Sequence, residues 1–315
     1  MNEAAAKPLY KLLSEIRRPL TLRDIMAVCL RHIYIGDPFS GEKPLLQPPP
    51  KELFDEVTAT EVDVDGIRCV LYLPKRRKPG VMLYMHGGGF VVGCSEDTDY
   101  TTRQLCRSNS LAVISINYRL APEAVFPLAI EDCLKVLSWA KNKGAQYDFD
   151  CSRVLLAGDS AGGNLAAAVA LRLKQDGVSL AGAILFAPWL DMSVEKYESY
   201  NRLAPEGVVF DAAFIGYCRG ACLRFEEWND PLASPQLCDP NDLPPTLIFS
   251  GTADPLYDQS ARFYEMASNA GCEHIQLVSY SGMPHCFYTF PNVFTEEADC
   301  YGRISTFING LRDHA

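Results

Sequence analysis

The amino-acid sequence predicts an α/β protein in which helices cover both faces of a parallel sheet. From residue 79 onward, short and continuously apolar runs alternate with stretches of helix length. A strand is apolar throughout when both of its faces are covered, and strand–helix alternation is typical of parallel sheets. The predicted strands are Val81–Met85, Ala112–Ile116, Val154–Ala157, Ala183–Phe186, Thr246–Phe249 and Ile275–Val278. The predicted helices lie near residues 98–110, 127–142, 161–176, 257–270 and 293–312.

Two features precede this alternating region. The first fifty residues are amphipathic and end in Pro48-Pro49-Pro50, so we expect helices there that stop at the prolines. Residues 57–64 and 67–73 then predict two strands, joined by the hairpin signal Asp65-Gly66. The basic run at residues 75–78 is interpreted as a solvated turn rather than as a nuclear-localisation or polyanion-binding segment.

Composition excludes several classes of partner. The 315 residues include 29 basic and 39 acidic side chains, a net charge of −10, so we expect neither nucleic acid nor anionic membrane as a main partner. The uncharged and mainly apolar run at residues 177–190 is too short for an integral membrane segment, and no secretory signal is visible. We therefore expect a cytoplasmic protein.

The twelve cysteines are the unusual count in the composition. They include no C-x-x-C pair, and the nearest two, Cys218 and Cys222, have no second pair of ligands beside them. A chain of this length buries a sufficient core without disulfides. We therefore expect reduced thiols and no metal site.

The segment Gly158-Asp159-Ser160-Ala161-Gly162 fits the pattern G-x-S-x-G. It follows a predicted strand and opens an alanine-rich predicted helix, which is the setting in which such a serine lies exposed on a tight elbow. A capped glycine-rich turn or a phosphate-binding loop is the alternative. The accompanying residues favour a nucleophile, and we assign that role to Ser160.

His86-Gly87-Gly88-Gly89 follows the predicted strand Val81–Met85 and is a far more specific signal. Consecutive glycines leave backbone amides unshielded, and such amides stabilise the oxyanion of acyl transfer by about 3–4 kcal/mol per donor. We predict an oxyanion hole formed by the amides of Gly87, Gly88 and Ala161. His86 is expected to shape the loop rather than to act as a base.

Chain order restricts the other catalytic groups, because the acid and then the histidine follow the serine in this arrangement. Of the later histidines, only His285 lies in a loop directly after a predicted strand, so we predict that it is the base. Asp254 follows the preceding strand and is fixed by the next residue, a proline. Asp258, four residues further on, is the alternative acid, and we favour Asp254.

Taken together, these elements resemble the hormone-sensitive-lipase family of α/β-hydrolases, which includes arylacetamide deacetylases and plant carboxylesterases. The matching segments follow family order over roughly residues 55–312 and are 86–90, 118–123, 158–163, 188–191, 254–258 and 285–287. The resemblance implies the α/β-hydrolase fold, with an eight-stranded, mostly parallel sheet and an antiparallel second strand. It also implies ester hydrolysis through an acyl-enzyme, with no metal or organic cofactor.

The resemblance further implies a helical cap over the site. Its parts would be residues 1–50 and an insertion at about 190–243 within a catalytic domain of residues 51–315. Gln259 departs from the family, since many relatives have Glu there, but it lies beyond the acid and leaves the triad intact. Aromatic residues in or near the cap are candidates for an acyl or aryl pocket, although each is also a common core residue: Phe90, Trp189, Phe210, Phe214, Phe287 and Tyr288.

The sequence therefore predicts a serine carboxylesterase that acts on short acyl or aryl esters. Ser160 would attack the ester, His285 would transfer the proton, and Asp254 would hold the imidazole. An amidase or deacetylase using the same triad is one alternative. A hormone-type receptor on the same scaffold is another, although the receptors of this family lack the histidine. We expect a small-molecule ester as the partner, and a homodimer is an open prediction.

Overall fold

The computed structural model describes residues 50–207, 210–290 and 294–311 of the chain. Within them, eight strands form a single sheet. The strands are β1 (Val57–Val64), β2 (Ile67–Pro74), β3 (Val81–Met85), β4 (Ala112–Ile116), β5 (Val154–Asp159), β6 (Gly182–Phe186), β7 (Thr246–Gly251) and β8 (Ile275–Tyr280). Their order across the sheet is β1-β2-β4-β3-β5-β6-β7-β8.

Strand β2 is antiparallel to both of its neighbours, β1 and β4, and all other neighbouring strands are parallel. The predicted sheet is therefore confirmed. The β1–β2 hairpin turns at Asp65 and Gly66, which both have positive φ, as a tight two-residue hairpin turn requires.

Eight α-helices lie in the described residues. They are α1 (Lys51–Glu56), α2 (Asp99–Asn109), α3 (Leu128–Lys143), α4 (Ala161–Gln175), α5 (Glu198–Leu203), α6 (Ala212–Cys222), α7 (Tyr257–Asn269) and α8 (Glu296–Gly310). Short 3-10 helices span Gly144–Tyr147, Val194–Lys196, Ala204–Glu206, Phe225–Asn229, Pro235–Leu237, Pro240–Asp242 and Phe287–Thr289. The predicted helices correspond to α2, α3, α4, α7 and α8.

Two apolar cores explain why the central strands are apolar throughout. In β3, Val81, Leu83 and Met85 point into a core shared with α3, α4 and α7. Met82 and Tyr84 point the opposite way, into a core shared with α2 and α8. Side chains alternate across a strand, and each fully buried large apolar one stabilises the fold by about 1.5–3 kcal/mol. The sheet is thus covered on both faces.

Strands β5, β7 and β8 run two residues past their predicted ends, to Asp159, Gly251 and Tyr280. Backbone pairing continues there, with Asp159 opposite Phe186 and Gly251 opposite Tyr280. The ladder uses main-chain groups, so it does not end where the apolar run ends. The extension carries polar residues to the carboxyl edge of the sheet, where ligands bind in open α/β sheets.

Residues 187–245 connect β6 to β7 through α5, α6 and several 3-10 helices. They contribute most of a third apolar cluster, which includes Trp189, Ile215 and Cys218. Gln259 of α7 anchors the start of this segment: its Oε1 accepts the amide of Asp191 at 2.9 Å, and its Nε2 donates to the carbonyl of the same residue at 3.3 Å. The family departure at this position therefore has a structural role.

The predicted cap helices of residues 1–50 lie outside the described residues, apart from Pro50. Among the segments that the structure does describe, no helix combines the length and the hydropathy that a bilayer span requires.

Candidate active site

Ser160 lies on a strained turn between β5 and α4. Its φ of 55° and ψ of −117° are unfavourable for a residue with a side chain, and such strain costs about 1–3 kcal/mol. A Cβ added to Gly158 would overlap the backbone of Gly162, and a Cβ added to Gly162 would overlap the backbone of Met85. Glycine at these positions is what allows the turn to close.

Backbone contacts fix the elbow while the hydroxyl stays unengaged. The Ser160 amide donates to the carbonyl of Phe186 at 2.8 Å, and its carbonyl accepts the amide of Trp189 at 3.1 Å. The residue is 8% exposed. Among the described residues, Oγ makes no hydrogen bond, so the Ser160–His285 hydrogen bond of an attacking state is not formed.

His285 and Asp254 form a buried pair at the ends of β8 and β7. His285 Nδ1 lies 2.7 Å from Asp254 Oδ2, and the Asp254 carboxylate is fully buried. The other oxygen, Oδ1, accepts the amide of Leu256 at 2.8 Å. Asp258 is engaged elsewhere, since its Oδ2 accepts the amide of Ser199 at 2.7 Å. Of the two acids that the sequence offered, Asp254 is the one in contact with the histidine.

The environment of His285 raises the pKa of its imidazole above the ordinary value. Burial by itself lowers this pKa, because it disfavours the charged ring. The carboxylate of Asp254 and the thiol of Cys286 act in the opposite direction and outweigh burial. The pair is therefore arranged to stabilise an imidazolium.

The loop His86-Gly87-Gly88-Gly89 follows β3 and faces the elbow. Gly88 and Gly89 have φ of 108° and 61°, which glycine adopts without strain. The ring of His86 stacks on Tyr118 with centroids 4.3 Å apart, and its Nδ1 lies 2.7 Å from the Gly87 carbonyl oxygen. Burial lowers the pKa of His86. These contacts give His86 the position of a loop-shaping residue.

The Asp159 side chain lies against the oxyanion loop. A Cβ on Gly87 would overlap Oδ2 of the Asp159 carboxylate. No acceptor among the described residues engages the amides of Gly88, Gly89 or Ala161. The oxyanion hole of Gly87, Gly88 and Ala161 stays a prediction, and the Gly89 amide is a further candidate donor.

Sequence reasoning missed Asp159, although it stands next to the nucleophile in the motif. Burial raises the pKa of Asp159 to about 6, even though the Tyr84 hydroxyl, the charge of His285 and the Gly87 amide all lower it. The Tyr84 hydroxyl donates to Oδ1 at 2.7 Å. The carboxylate is thus hydrogen-bonded to Tyr84 of β3, lies against Gly87 of the loop, and is influenced by the charge of His285.

The aromatic residues predicted for a pocket divide into two groups. Phe210 meets the ring of His285 edge-on with centroids 5.0 Å apart, and Phe214 lies against Phe210 and Gly89. Phe90 is half-buried and packs on Trp189. The remaining three are buried in the packed apolar clusters, and a place for them in a pocket wall stays a prediction: Trp189, Phe287 and Tyr288.

No three His, Cys, Asp or Glu side chains within residues 50–207, 210–290 and 294–311 lie close enough together to hold a metal ion. The groups gathered at the carboxyl edge of the sheet are instead a hydroxyl, an imidazole, a buried carboxylate and unengaged amides. Such a set is suited to nucleophilic acyl transfer.

Comparison with known proteins agrees with this geometry. The family model described as the alpha/beta hydrolase fold matches residues 82–289. The carboxylesterase NlhH of Mycobacterium tuberculosis is 32% identical over 267 residues, which cover 81% of this chain and 83% of that protein.

Solved structures of esterases also superpose on the chain. The thermostable carboxylesterase EstE1, cloned from a metagenomic library, is 31% identical with a TM-score of 0.75, over 85% of this chain and 92% of its own. An esterase of the bacterial hormone-sensitive lipase family is 25% identical with a TM-score of 0.79, over 98% and 97% of the two chains. The chain therefore belongs to the alpha/beta hydrolase fold family and, within it, to the hormone-sensitive lipase group that its motifs predict.

Proposed function

We propose that this protein is a serine carboxylesterase that hydrolyses short acyl or aryl esters through an acyl-enzyme. The observation that carries the proposal is the buried 2.7 Å pair of His285 and Asp254, at the sheet edge where Ser160 occupies its strained elbow. Named relatives that are carboxylesterases support the reaction class.

In the proposed first step, Ser160 Oγ attacks the ester carbonyl carbon while His285 Nε2 accepts the hydroxyl proton. A rotation of the serine side chain about Cα–Cβ would form the hydrogen bond that precedes attack, and such bonds are often long without substrate. Asp254 stays ionised and stabilises the imidazolium that results. The same stabilisation of the charged ring raises the pKa of His285.

Charge then develops on the former carbonyl oxygen. We propose that the predicted oxyanion hole of Gly87, Gly88 and Ala161 receives it, with the Gly89 amide as a further candidate donor. The amides of Gly88, Gly89 and Ala161 are not otherwise engaged among the described residues. Each such donor contributes about 3–4 kcal/mol to the stability of the transition state. The imidazolium next protonates the leaving alcohol, the C–O bond breaks, and water hydrolyses the acyl-enzyme by the same proton route.

The helical segment at about 190–243 is proposed as the cap that limits the acyl group. Helix α6 brings Phe214 to the oxyanion loop, with its Cζ 3.3 Å from the position of a Cβ on Gly89. Phe210 covers the edge of His285. Two aromatic rings this close to the reacting groups leave room for short or flat acyl chains and support the preference for short acyl or aryl esters.

A kinetic panel tests the proposal. Wild-type protein would be assayed on p-nitrophenyl esters from acetate to laurate and on an aryl amide, beside Ser160→Ala and Ser152→Ala. Ser152 is an exposed loop serine and serves as the matched control. We expect ester turnover, highest for short chains, with a loss of at least about 10⁴-fold in Ser160→Ala alone. Ligand binding without hydrolysis of any ester would instead indicate a receptor, and faster amide cleavage would indicate an amidase.

A further inference from the structure

Two residues that flank the candidate catalytic groups contact each other. Asp159 directly precedes Ser160, and Cys286 directly follows His285. The Sγ of Cys286 lies 4.0 Å from Oδ2 of Asp159, which is long for a hydrogen bond from a thiol. In the sheet, β5 and β8 are separated by β6 and β7, about 14 Å at ordinary strand spacing. The loop after β8 therefore reaches back across two strand ends to meet the nucleophile elbow at this contact.

The backbone at Cys286 is strained. Its φ of 55° and ψ of 31° lie in the left-handed region, which costs free energy for a residue with a side chain. Glycine adopts this conformation without strain, but it would lose the thiol. Strain of this kind persists where surrounding contacts outweigh it, and it is concentrated at functional sites. The strain therefore directs attention to what the Cys286 side chain contacts.

Buried tyrosines hold both partners of this contact. The Tyr288 hydroxyl donates to Sγ of Cys286 at 3.3 Å, and the Tyr288 ring stacks on Phe186 of β6 with centroids 4.3 Å apart. The Tyr84 hydroxyl of β3 donates to the other carboxylate oxygen of Asp159 at 2.7 Å. Both tyrosines are fully buried. The thiol and the carboxylate are thus fixed from the core, on the side of the sheet away from α3, α4 and α7.

The protonation states of the two groups suit a thiol donor and a carboxylate acceptor. Burial raises the pKa of the Cys286 thiol, so the thiol keeps its proton at neutral pH. The pKa of the Asp159 carboxyl is about 6, so this group is mainly ionised at neutral pH. A thiol is a weak donor, but an ionised acceptor strengthens the interaction. Because the thiolate and not the thiol is nucleophilic, these states favour a positioning role for Cys286 over a second nucleophile.

We propose that Asp159 and Cys286 are a pair of positioning residues, whose contact holds the loop that carries His285 against the elbow that carries Ser160. The inference rests on the proposed function, because it concerns the alignment of the same base and nucleophile. Asp254 orients the imidazole through Nδ1, whereas the Asp159–Cys286 contact sets how far the whole loop lies from the elbow. A displacement of about 1 Å between reacting groups is enough to lower a rate by about 100-fold.

Steady-state kinetics of Cys286 variants on p-nitrophenyl acetate test the positioning role. Cys286→Gly removes the thiol but also the backbone strain, so kcat should fall by about 10- to 100-fold while KM stays within about twofold and the protein stays folded. Cys286→Ser keeps a donor at this position and should recover most of kcat. Cys300→Ala removes a buried thiol from the same apolar core and is the matched control, with kcat unchanged.

Thermal unfolding would show that each variant folds, and Cys286→Ala replaces Cys286→Gly if that variant does not. Wild-type kcat in the folded variant, or equal losses in Cys286→Gly and Cys286→Ser, would overturn the proposal. A double-mutant cycle with Asp159→Ala tests the pair. Once the carboxylate is absent, Cys286→Gly should lower kcat by no more than about twofold, and additive losses would show that the two side chains act separately.

A proton NMR signal of His285 gives a readout that does not depend on turnover. The Nδ1 proton between an imidazole and a buried carboxylate resonates far downfield, and loss of the signal in Asp254→Asn would assign it. We expect the signal in wild type and in Cys286→Ser, and a shifted or broadened signal in Cys286→Gly. This response in a protein that hydrolyses no ester would contradict the proposed function but support the positioning role. An unchanged signal in Cys286→Gly would overturn the positioning role.

Discussion

The imidazole of His285 is held by Asp254 and not by Asp258. Nδ1 of His285 lies 2.7 Å from Oδ2 of Asp254, whereas Oδ2 of Asp258 accepts the amide of Ser199. The Ser199 hydroxyl in turn accepts the Asp258 amide at 3.1 Å. Asp258 thus joins α5 to the start of α7, while Asp254 reaches the candidate base.

Asp254→Asn and Asp258→Asn should therefore differ in kind. In the first, the amide keeps the shape of the carboxylate but no longer stabilises the imidazolium, and kcat should fall by about 10⁴-fold. In the second, kcat should stay within about tenfold of wild type while thermal stability falls, because the Ser199 contact weakens. Steady-state kinetics and thermal unfolding of both variants make the comparison, and the reverse pattern of kcat would move the acid to Asp258.

The pH dependence of kcat/KM should show the raised pKa of His285. A base must be neutral to accept a proton, so activity is present above its pKa and is lost as pH falls through it. With the pKa raised by Asp254 and Cys286, the midpoint of this loss should lie above the value of about 6.5 for free imidazole. In Asp254→Asn the residual activity should persist to lower pH. An acid limb that is unmoved in this variant would show that Asp254 does not set the pKa of His285.

Asp159→Asn should change how stability depends on pH. Burial raises the pKa of the Asp159 carboxyl from 3.8 to about 6. As pH rises, the unfolded chain therefore loses this proton before the folded protein does, and the stability of the wild type decreases as pH rises from 3.8 to about 6. A shift of about two units corresponds to about 3 kcal/mol. Because Asn does not titrate, the free energy of unfolding of the variant relative to wild type should increase by about that much from pH 4 to pH 8. Urea unfolding at both pH values measures it, and a pH-independent difference would refute the burial argument.

Gly89→Ala should disturb the oxyanion loop through α6. A Cβ on Gly89 would overlap Cys218 Sγ and lie 3.1 Å from its Cβ, at a φ of 61° that alanine disfavours. We expect a loss of about 2–3 kcal/mol of stability and a lower kcat, and partial recovery of both when Cys218→Ala is added. Gly216→Ala is the control, since nothing lies within 4 Å of its Cβ and helix propensity favours it by about 1 kcal/mol. Additive effects of Gly89→Ala and Cys218→Ala would show that the two residues are not coupled.

The sheet was predictable because each covered strand must be apolar on both faces. The limits of β3 and β4 coincide with the predicted apolar runs: β3 lies between Gly80 and His86, and β4 ends before Asn117. The ends of β5 and β8 were not predictable from hydropathy, because Asp159 and Ser279 continue the ladder through backbone groups alone. At strand ends that carry polar residues, backbone hydrogen bonding continues beyond the end of the apolar run.

The site was predictable as far as its chemistry is local in sequence. The spacing of their motifs identifies Ser160 and the glycine loop as candidates, and chain order together with position directly after a strand end selects His285 and favours Asp254 over Asp258. The close approach of Asp159 to Gly87 was not predictable, because it depends on how two loops from different strands face each other. The same holds for Phe287, which points into the core with Tyr280 while its neighbour in sequence, His285, faces Asp254.

The most direct test of the central claim is covalent labelling of the nucleophile. Wild-type protein treated with diethyl p-nitrophenyl phosphate would be digested and mapped by mass spectrometry. We expect one diethylphosphoryl group, on the peptide that contains Ser160, formed in parallel with loss of esterase activity and absent from Ser160→Ala. Inactivation with the adduct on any other residue, or equal labelling of Ser160→Ala, would contradict the assignment of Ser160 as the nucleophile.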